Sequence, residues 1–198
     1  MKRRPSGRKG VASNHKSRVR VGIVMGSESD RAVMSEAARV LEEHGVGCEI
    51  RVRSAHRTPD EAAEYARSAK ARGLEILIAG AGGAAHLAGA MAAYTRLPVL
   101  GVPLAGSPLG GFDALLATVQ MPPGVPVGTL GVGAWGARNA GHLAIRILAL
   151  ADQGLAQRME ARMQAAKEAV LRDAPATPRG TAERSRAPRP APRAKGKR

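Results

Sequence analysis

The chain has 198 residues, enough for one domain of ordinary size with a real core, and a formal net charge of +15. Cys48 is the only cysteine, which excludes an intrachain disulfide and argues against a Cys-based metal site. No run approaches the roughly 18 apolar residues of a membrane span. The charge sits at the ends. Residues 1–20 carry eight Lys or Arg and no acid, residues 174–198 carry eight and the single acid Glu183, and the stretch between them balances.

Both ends are rich in Arg, Lys, Pro, Gly, Ala and Ser and contain no Phe, Trp or Tyr. Such segments bury too little apolar surface to offset the entropy of ordering, so disordered basic tails are expected over 1–18 and 173–198, flanking a folded domain over 19–172. A basic tail can touch polyanions weakly. Without aromatics it offers bases no stacking platform, which argues against a dedicated nucleic-acid partner. Met1-Lys2-Arg3-Arg4 has charge but no apolar stretch behind it, so no secretory signal is expected. The expected setting is reducing and cytoplasmic, with no membrane contact.

Residues 19–25, mostly apolar, predict a first strand buried on both faces. Gly26-Ser27-Glu28-Ser29-Asp30 follows as a loop, with Ser29 or Asp30 as the cap of a helix running to about His44 and stopped by Gly45. Val33, Ala37, Val40 and Leu41 recur at helical spacing. In residues 47–53, Cys48, Ile50 and Val52 alternate with charged residues, which predicts a less buried edge strand and a buried thiol. Thr58-Pro59-Asp60-Glu61 predicts a helix start with a capping box, the helix reaching about Arg72 before Gly73.

A third strand is expected over 74–79, opening into Gly80-Ala81-Gly82-Gly83 and a small-residue helix over 84–95. A short strand over 98–102, a loop over 106–111 and a helix over 112–119 follow. Pro122, Pro123, Gly124 and Pro126 make a rigid turn before a strand over 127–132, a loop over 133–136 and a helix over 137–150. The last helix, 153–172, carries Leu155, Met159, Met163, Ala166 and Val170 on one stripe. Alternating strands and helices make this an α/β protein: a single-domain three-layer αβα sandwich with a central parallel sheet, flavodoxin- or Rossmann-like, plus an extra C-terminal helix.

Three strand-to-helix loops carry the candidate chemistry, and all should emerge at one sheet edge. In the first, Ser27, Ser29 and Asp30 offer hydroxyls and a carboxylate at a helix start, suited to an anion and sugar hydroxyls. The same residues would equally serve as helix caps. In the second, Ser54-Ala55-His56-Arg57 places an imidazole beside a guanidinium. Histidine titrates close to neutrality and can give and take a proton. Arginine forks onto phosphate or carboxylate. In the third, Gly80 to Gly83 misses the GxGxxG spacing because Ala85 stands at the third glycine, so it reads as close backbone approach to a ligand or simply as a tight turn. No GxxxxGK[ST], HExxH or metal-ligand histidine spacing is present.

Met25-Gly26-Ser27-Glu28-Ser29-Asp30, Ser54-Ala55-His56-Arg57-Thr58-Pro59 and Gly80-Ala81-Gly82-Gly83-Ala84-Ala85-His86-Leu87 resemble the signature loops of the class I N5-carboxyaminoimidazole ribonucleotide mutases, the catalytic subunit of the purine-pathway carboxylase. Residues 97–103, 119–127 and 136–140 resemble that family too, so the likeness runs in order over roughly 19–170. It implies conversion of N5-carboxyaminoimidazole ribonucleotide to 4-carboxy-5-aminoimidazole ribonucleotide without cofactor or metal. It implies His56 as general acid/base, with Ser29, Ser54 and Arg57 on phosphate and Asp30 on the ribose. Ser27 and the Gly80–Gly83 backbone, Ala81, Gly82 and Gly83 above all, would lie along the base and migrating carboxylate, with His86 orienting or stabilising the carboxylate and Leu87 completing the site. It further implies a homo-octamer, the last helix docking on a neighbour, and coupling to an ATP-dependent synthase that makes the substrate.

The chain departs from the family at Arg31, where tryptophan is common, and at Ala88, where proline is common. Arg31 would alter packing over the loop, and Ala88 removes a rigid helix start. The Gly-Gly-Ala-Ala-His-Leu form favours the mutase over a related carboxylase acting on free aminoimidazole ribonucleotide or a nicotinate-type nucleotide. A non-catalytic nucleotide-binding module with nucleic-acid-binding tails is the remaining reading.

Overall fold

Val19–Met25 forms β1, buried from Val21 onward. The computed structural model describes residues 18–173, so the expected tails lie outside the described residues except at Arg18 and Asp173. After β1 come a 3-10 turn at Glu28–Asp30, α1 (Arg31–Glu43), β2 (Gly47–Val52), α2 (Pro59–Ser68), β3 (Ile76–Gly82) and α3 (Leu87–Tyr94). Then follow β4 (Val99–Leu104), α4 (Phe112–Val119), β5 (Gly128–Thr129), α5 (Gly133–Ala149) and α6 (Gln153–Asp173).

The sheet is parallel throughout, in the order β2-β1-β3-β4-β5. This is the flavodoxin-type order, whose switch point lies between β1 and β3, where the crossovers leave in opposite directions and open a crevice beyond the carboxyl ends of the strands. One core joins β1, β3 and β4 to α1 and α5 through Ile23, Met34, Leu41, Ile78 and Ile145. The other joins the sheet to α2 and α3 through Val24, Tyr65, Leu77, Leu87 and Met91. α1 and α5 approach closely because their facing residues are small. A Cβ on Gly141 would stand 3.0 Å from the Ala37 carbonyl. The edge position expected for β2 is observed, its residues only partly covered.

Several boundaries differ from expectation. Met34, not marked by the helical spacing, is fully buried on α1, whereas Val33 is only half-covered. α2 ends at Ser68, and the chain continues as turns to Gly73, which adopts φ +90° while the Leu74 N–H reaches back to the Ala69 carbonyl. That closure uses up the last carbonyls of the helix early. The capping box before α2 does not form. Thr58 Oγ1 instead accepts from the Ser54 N–H at 2.9 Å and donates to the Ser54 carbonyl, tying the loop to itself. β3 starts later and runs on through Gly82, because Gly80, Ala81 and Gly82 pair with β4, and α3 therefore begins at Leu87. β5 is only two residues long, and the expected loop before α5 is its first turn. Cys48 is half-buried, its thiol pushed up to about 11 by burial.

The chain divides after Arg162. The first unit holds the sheet and the start of α6, where Leu155 is buried and Met159 packs on the α1–α5 core. In the second, the described residues complete α6, and Met163, Ala166 and Val170 of the expected stripe are exposed. No helix among the described residues is long and apolar enough to cross a membrane.

Candidate active site

The loops after β1, β2 and β3 meet in one pocket of about 530 Å³ beyond the sheet edge. Each leads into a helix, so three positive helix ends face this region. From the first loop the pocket is lined by Ser27, Ser29 and Asp30. Ser27, not Ser29 or Asp30, is the side chain that caps: its Oγ accepts from the Ser29 N–H at 3.3 Å and from the Ser29 hydroxyl at 2.9 Å. That leaves Asp30 without a capping bond to α1. Burial pushes the Asp30 carboxyl above its ordinary value, partly offset by Ser27, Ser29 and the positive Arg57.

The second loop contributes Ser54, His56 and Arg57. Ser54 is buried, and its Oγ accepts from the backbone N–H groups of His56 and Arg57 at 3.4 and 3.1 Å. The hydroxyl thus holds the backbone that carries both functional side chains. Arg57 reaches across to donate to the Gly26 carbonyl at 2.6 Å, joining the second loop to the first. Among the described residues it has no carboxylate partner within ion-pair distance.

The third loop supplies Ala81, Gly82, Gly83, His86 and Leu87. Gly83 turns the chain with φ +59°, and a Cβ on Gly82 would sit 3.1 Å from the Leu104 carbonyl. Glycine is favoured at Gly83 by the sign of φ and at Gly82 by the close approach. Leu87, almost fully buried, anchors α3 in the second core, while His86 stays exposed one residue earlier. The result is the central contact of the site: His56 Nε2 lies 2.8 Å from His86 Nδ1, with the rings crossed at 79°. One nitrogen donates and the other accepts, so a single hydrogen bond joins two loops 30 residues apart in sequence.

The arrangement can bind an anion, hold sugar hydroxyls and move a proton. A broader groove, about 620 Å³, lies along β2 and α2, but Arg51 and Arg72 there are already paired with Glu49, and none of the loop histidines lines it. Among the described residues no group of three His, Cys, Asp or Glu is placed to hold a metal ion.

Residues 20–169 match the family model described as AIR carboxylase. The chain belongs to the AIR carboxylase family. Among its relatives, the N5-carboxyaminoimidazole ribonucleotide mutase of Pyrococcus abyssi is 57% identical over 131 residues, covering 66% of this chain and 74% of the relative. The mutase of Vibrio parahaemolyticus is 53% identical over 153 residues, covering 77% and 95%. The crystal structure of Treponema denticola PurE superposes with a TM-score of 0.71 at 26% identity over 79% of this chain and 96% of that one. The AIR carboxylase likeness therefore spans the sheet and all three loops.

All eleven residues singled out in the sequence line the pocket, together with Gly26, Ala55, Ala84 and Gly106. Gly106 was not foreseen as part of the site. It follows β4, and the parallel topology puts that loop at the same edge. His44, at the end of α1, is buried with Nδ1 2.8 Å from the Val40 carbonyl.

Proposed function

We propose that this chain is an N5-carboxyaminoimidazole ribonucleotide mutase, moving a carboxyl group from the exocyclic nitrogen of the imidazole to ring carbon C4. The observation that carries the reading is the 2.8 Å contact between His56 and His86 in a pocket lined also by several hydroxyls and by Arg57, which has no carboxylate partner among the described residues. The name shared by relatives more than half identical supports it over the carboxylase and non-catalytic readings.

Ser29, Ser54 and Arg57 hold the phosphate, and Asp30 the ribose hydroxyls. Ser27 and the Ala81–Gly83 backbone lie along the base and the carboxylate. The N–C bond to the carboxylate breaks, its electron pair returns to nitrogen, and His56 supplies the proton that nitrogen takes up. Carbon dioxide stays in the pocket. C4 attacks it, the new C–C bond forms, and the C4 proton returns to His56. Protons and electrons balance, so no cofactor enters. His86 orients the His56 ring and faces the carboxylate, with Leu87 fixing its helix. Retaining carbon dioxide requires that the pocket shut over the substrate.

The reading extends to the chain as a whole. Residues 19–172 form the mutase domain between two basic tails, working in the cytoplasm as a homo-oligomer, an octamer by the family likeness. An ATP-dependent synthase supplies the N5-carboxylated ribonucleotide. The test is turnover of that ribonucleotide by wild type and His56→Asn. General acid/base catalysis by a placed side chain is worth about 10²–10⁴-fold, and a loss of that size is expected. Unchanged turnover in the variant would remove the proton carrier.

A further inference from the structure

Ser27, Ser29 and Asp30 line the pocket, but Glu28, in the middle of the same turn, does not. Its carboxylate is held by Arg31, one turn further on. Arg31 Nε meets Glu28 Oε1 and Arg31 NH2 donates to Glu28 Oε2 at 2.8 Å, a two-pronged fork from the first residue of α1 back into the loop. Both side chains are substantially solvent-exposed. An exposed pair of this kind adds little to fold stability. Its electrostatic position is another matter. A free carboxylate next to Ser29, the hydroxyl of this loop that receives the phosphate, would repel that anion, at a helix N-terminus otherwise suited to negative charge.

We infer that Arg31 is a positioning residue for anion binding: its fork on Glu28 neutralises the one negative charge in the first loop that lies off the pocket and keeps it turned away from the phosphate subsite. This rests on the phosphate assignment under Proposed function. Arg31 acts through Glu28 and needs no contact with the ligand. The charge of Glu28 matters only when the guanidinium is gone, so removing both should be harmless where removing one is not.

The experiment measures KM and kcat for the N5-carboxylated ribonucleotide in wild type, Arg31→Leu, Glu28→Gln and the double variant, at low and high salt. Arg31→Leu is expected to raise KM about three- to tenfold at low ionic strength with kcat within about twofold, the defect shrinking as salt screens the charge. Glu28→Gln is expected to leave KM unchanged or lower, and the double variant to return KM close to wild type. KM unmoved in Arg31→Leu overturns the inference. So does a double variant as impaired as Arg31→Leu, since Arg31 would then act on the ligand or the fold directly. So does Glu28→Gln impaired as strongly as Arg31→Leu, since the turn itself would then need the pair. A wild type that does not turn over this ribonucleotide at all would instead remove the proposed function, which separates the two failures.

Discussion

The two ends of the sheet treat charge in opposite ways. At the amino end, Arg20 on β1 donates from Nε to Glu75 at 2.7 Å and from NH1 to Asp152 at 2.8 Å, so one guanidinium joins the starts of β1, β3 and α6. Asp152 also accepts from the Leu155 N–H at 2.9 Å, capping α6. Arg20, Glu75 and Asp152 there each have an opposite partner. At the carboxyl end, the Arg57 guanidinium bonds a backbone carbonyl and, among the described residues, no carboxylate, Asp30 is half-buried without a capping bond, and two imidazoles face each other. Fields that cancel hold a fold together. Fields left open are available to a ligand, and they lie where the strand order reverses.

Variants at the two ends should therefore fail differently. Of Arg57→Ala, Asp30→Asn and Arg20→Met, the first should show the largest effect. A hydrogen bond to a charged group is worth about 1.5–3 kcal/mol, so KM should rise roughly 10- to 100-fold, with a melting temperature close to wild type. Steady-state kinetics beside a thermal melt would check it. A large loss of stability would make Arg57 a structural brace between the loops.

Asp30→Asn should come next and move the two readouts in opposite senses. Burial raises the folded-state pKa of this acid, so its ionised form costs stability once pH passes the ordinary carboxylate value. The variant should weaken binding about tenfold yet melt about 1–2 °C higher at neutral pH, with no gain near pH 3. Melts across pH 3–8 would decide it, and a loss of stability at pH 7 would contradict the sign.

Arg20→Met should show the smallest effect on catalysis. Arg20 holds the Glu75 carboxyl below its ordinary value. For Asp152 the Leu155 N–H is the larger cause and Arg20 the next. Carboxyls whose folded values are depressed stabilise the fold above their unfolded values, and that stability is lost as pH falls through the folded ones. The variant should melt roughly 2–4 °C lower at pH 7 and converge with wild type in acid, with kcat within twofold. An equal difference at all pH values would mean that Arg20 acts by packing alone.

The contrast between the ends also explains what could be read from the chain. β1 and α4 begin and end where their patterns predict, and α1 and α6 do so within a residue, because apolar spacing and a stop signal agree. The three loops were legible because each puts unusual residues between a strand and a helix. What the sequence left hidden depends on tertiary contact. Thr58 could cap its helix or tie down Ser54, and only the fold of the loop decides. Gly80 to Gly82 look like loop residues until β4 pairs with them. The contact between His56 and His86 depends on β1 lying between β2 and β3, an order that local patterns do not encode.

The most direct measurement follows the carboxyl carbon. Purified protein would be given unlabelled N5-carboxylated ribonucleotide in buffer containing ¹³C-bicarbonate, and the C4 carboxylate formed in a single turnover analysed by mass. A mutase that holds carbon dioxide between the two bonds predicts unlabelled product. Product carrying the label at the level of the buffer would mean that the carbon comes from solution, and the intramolecular transfer would be wrong.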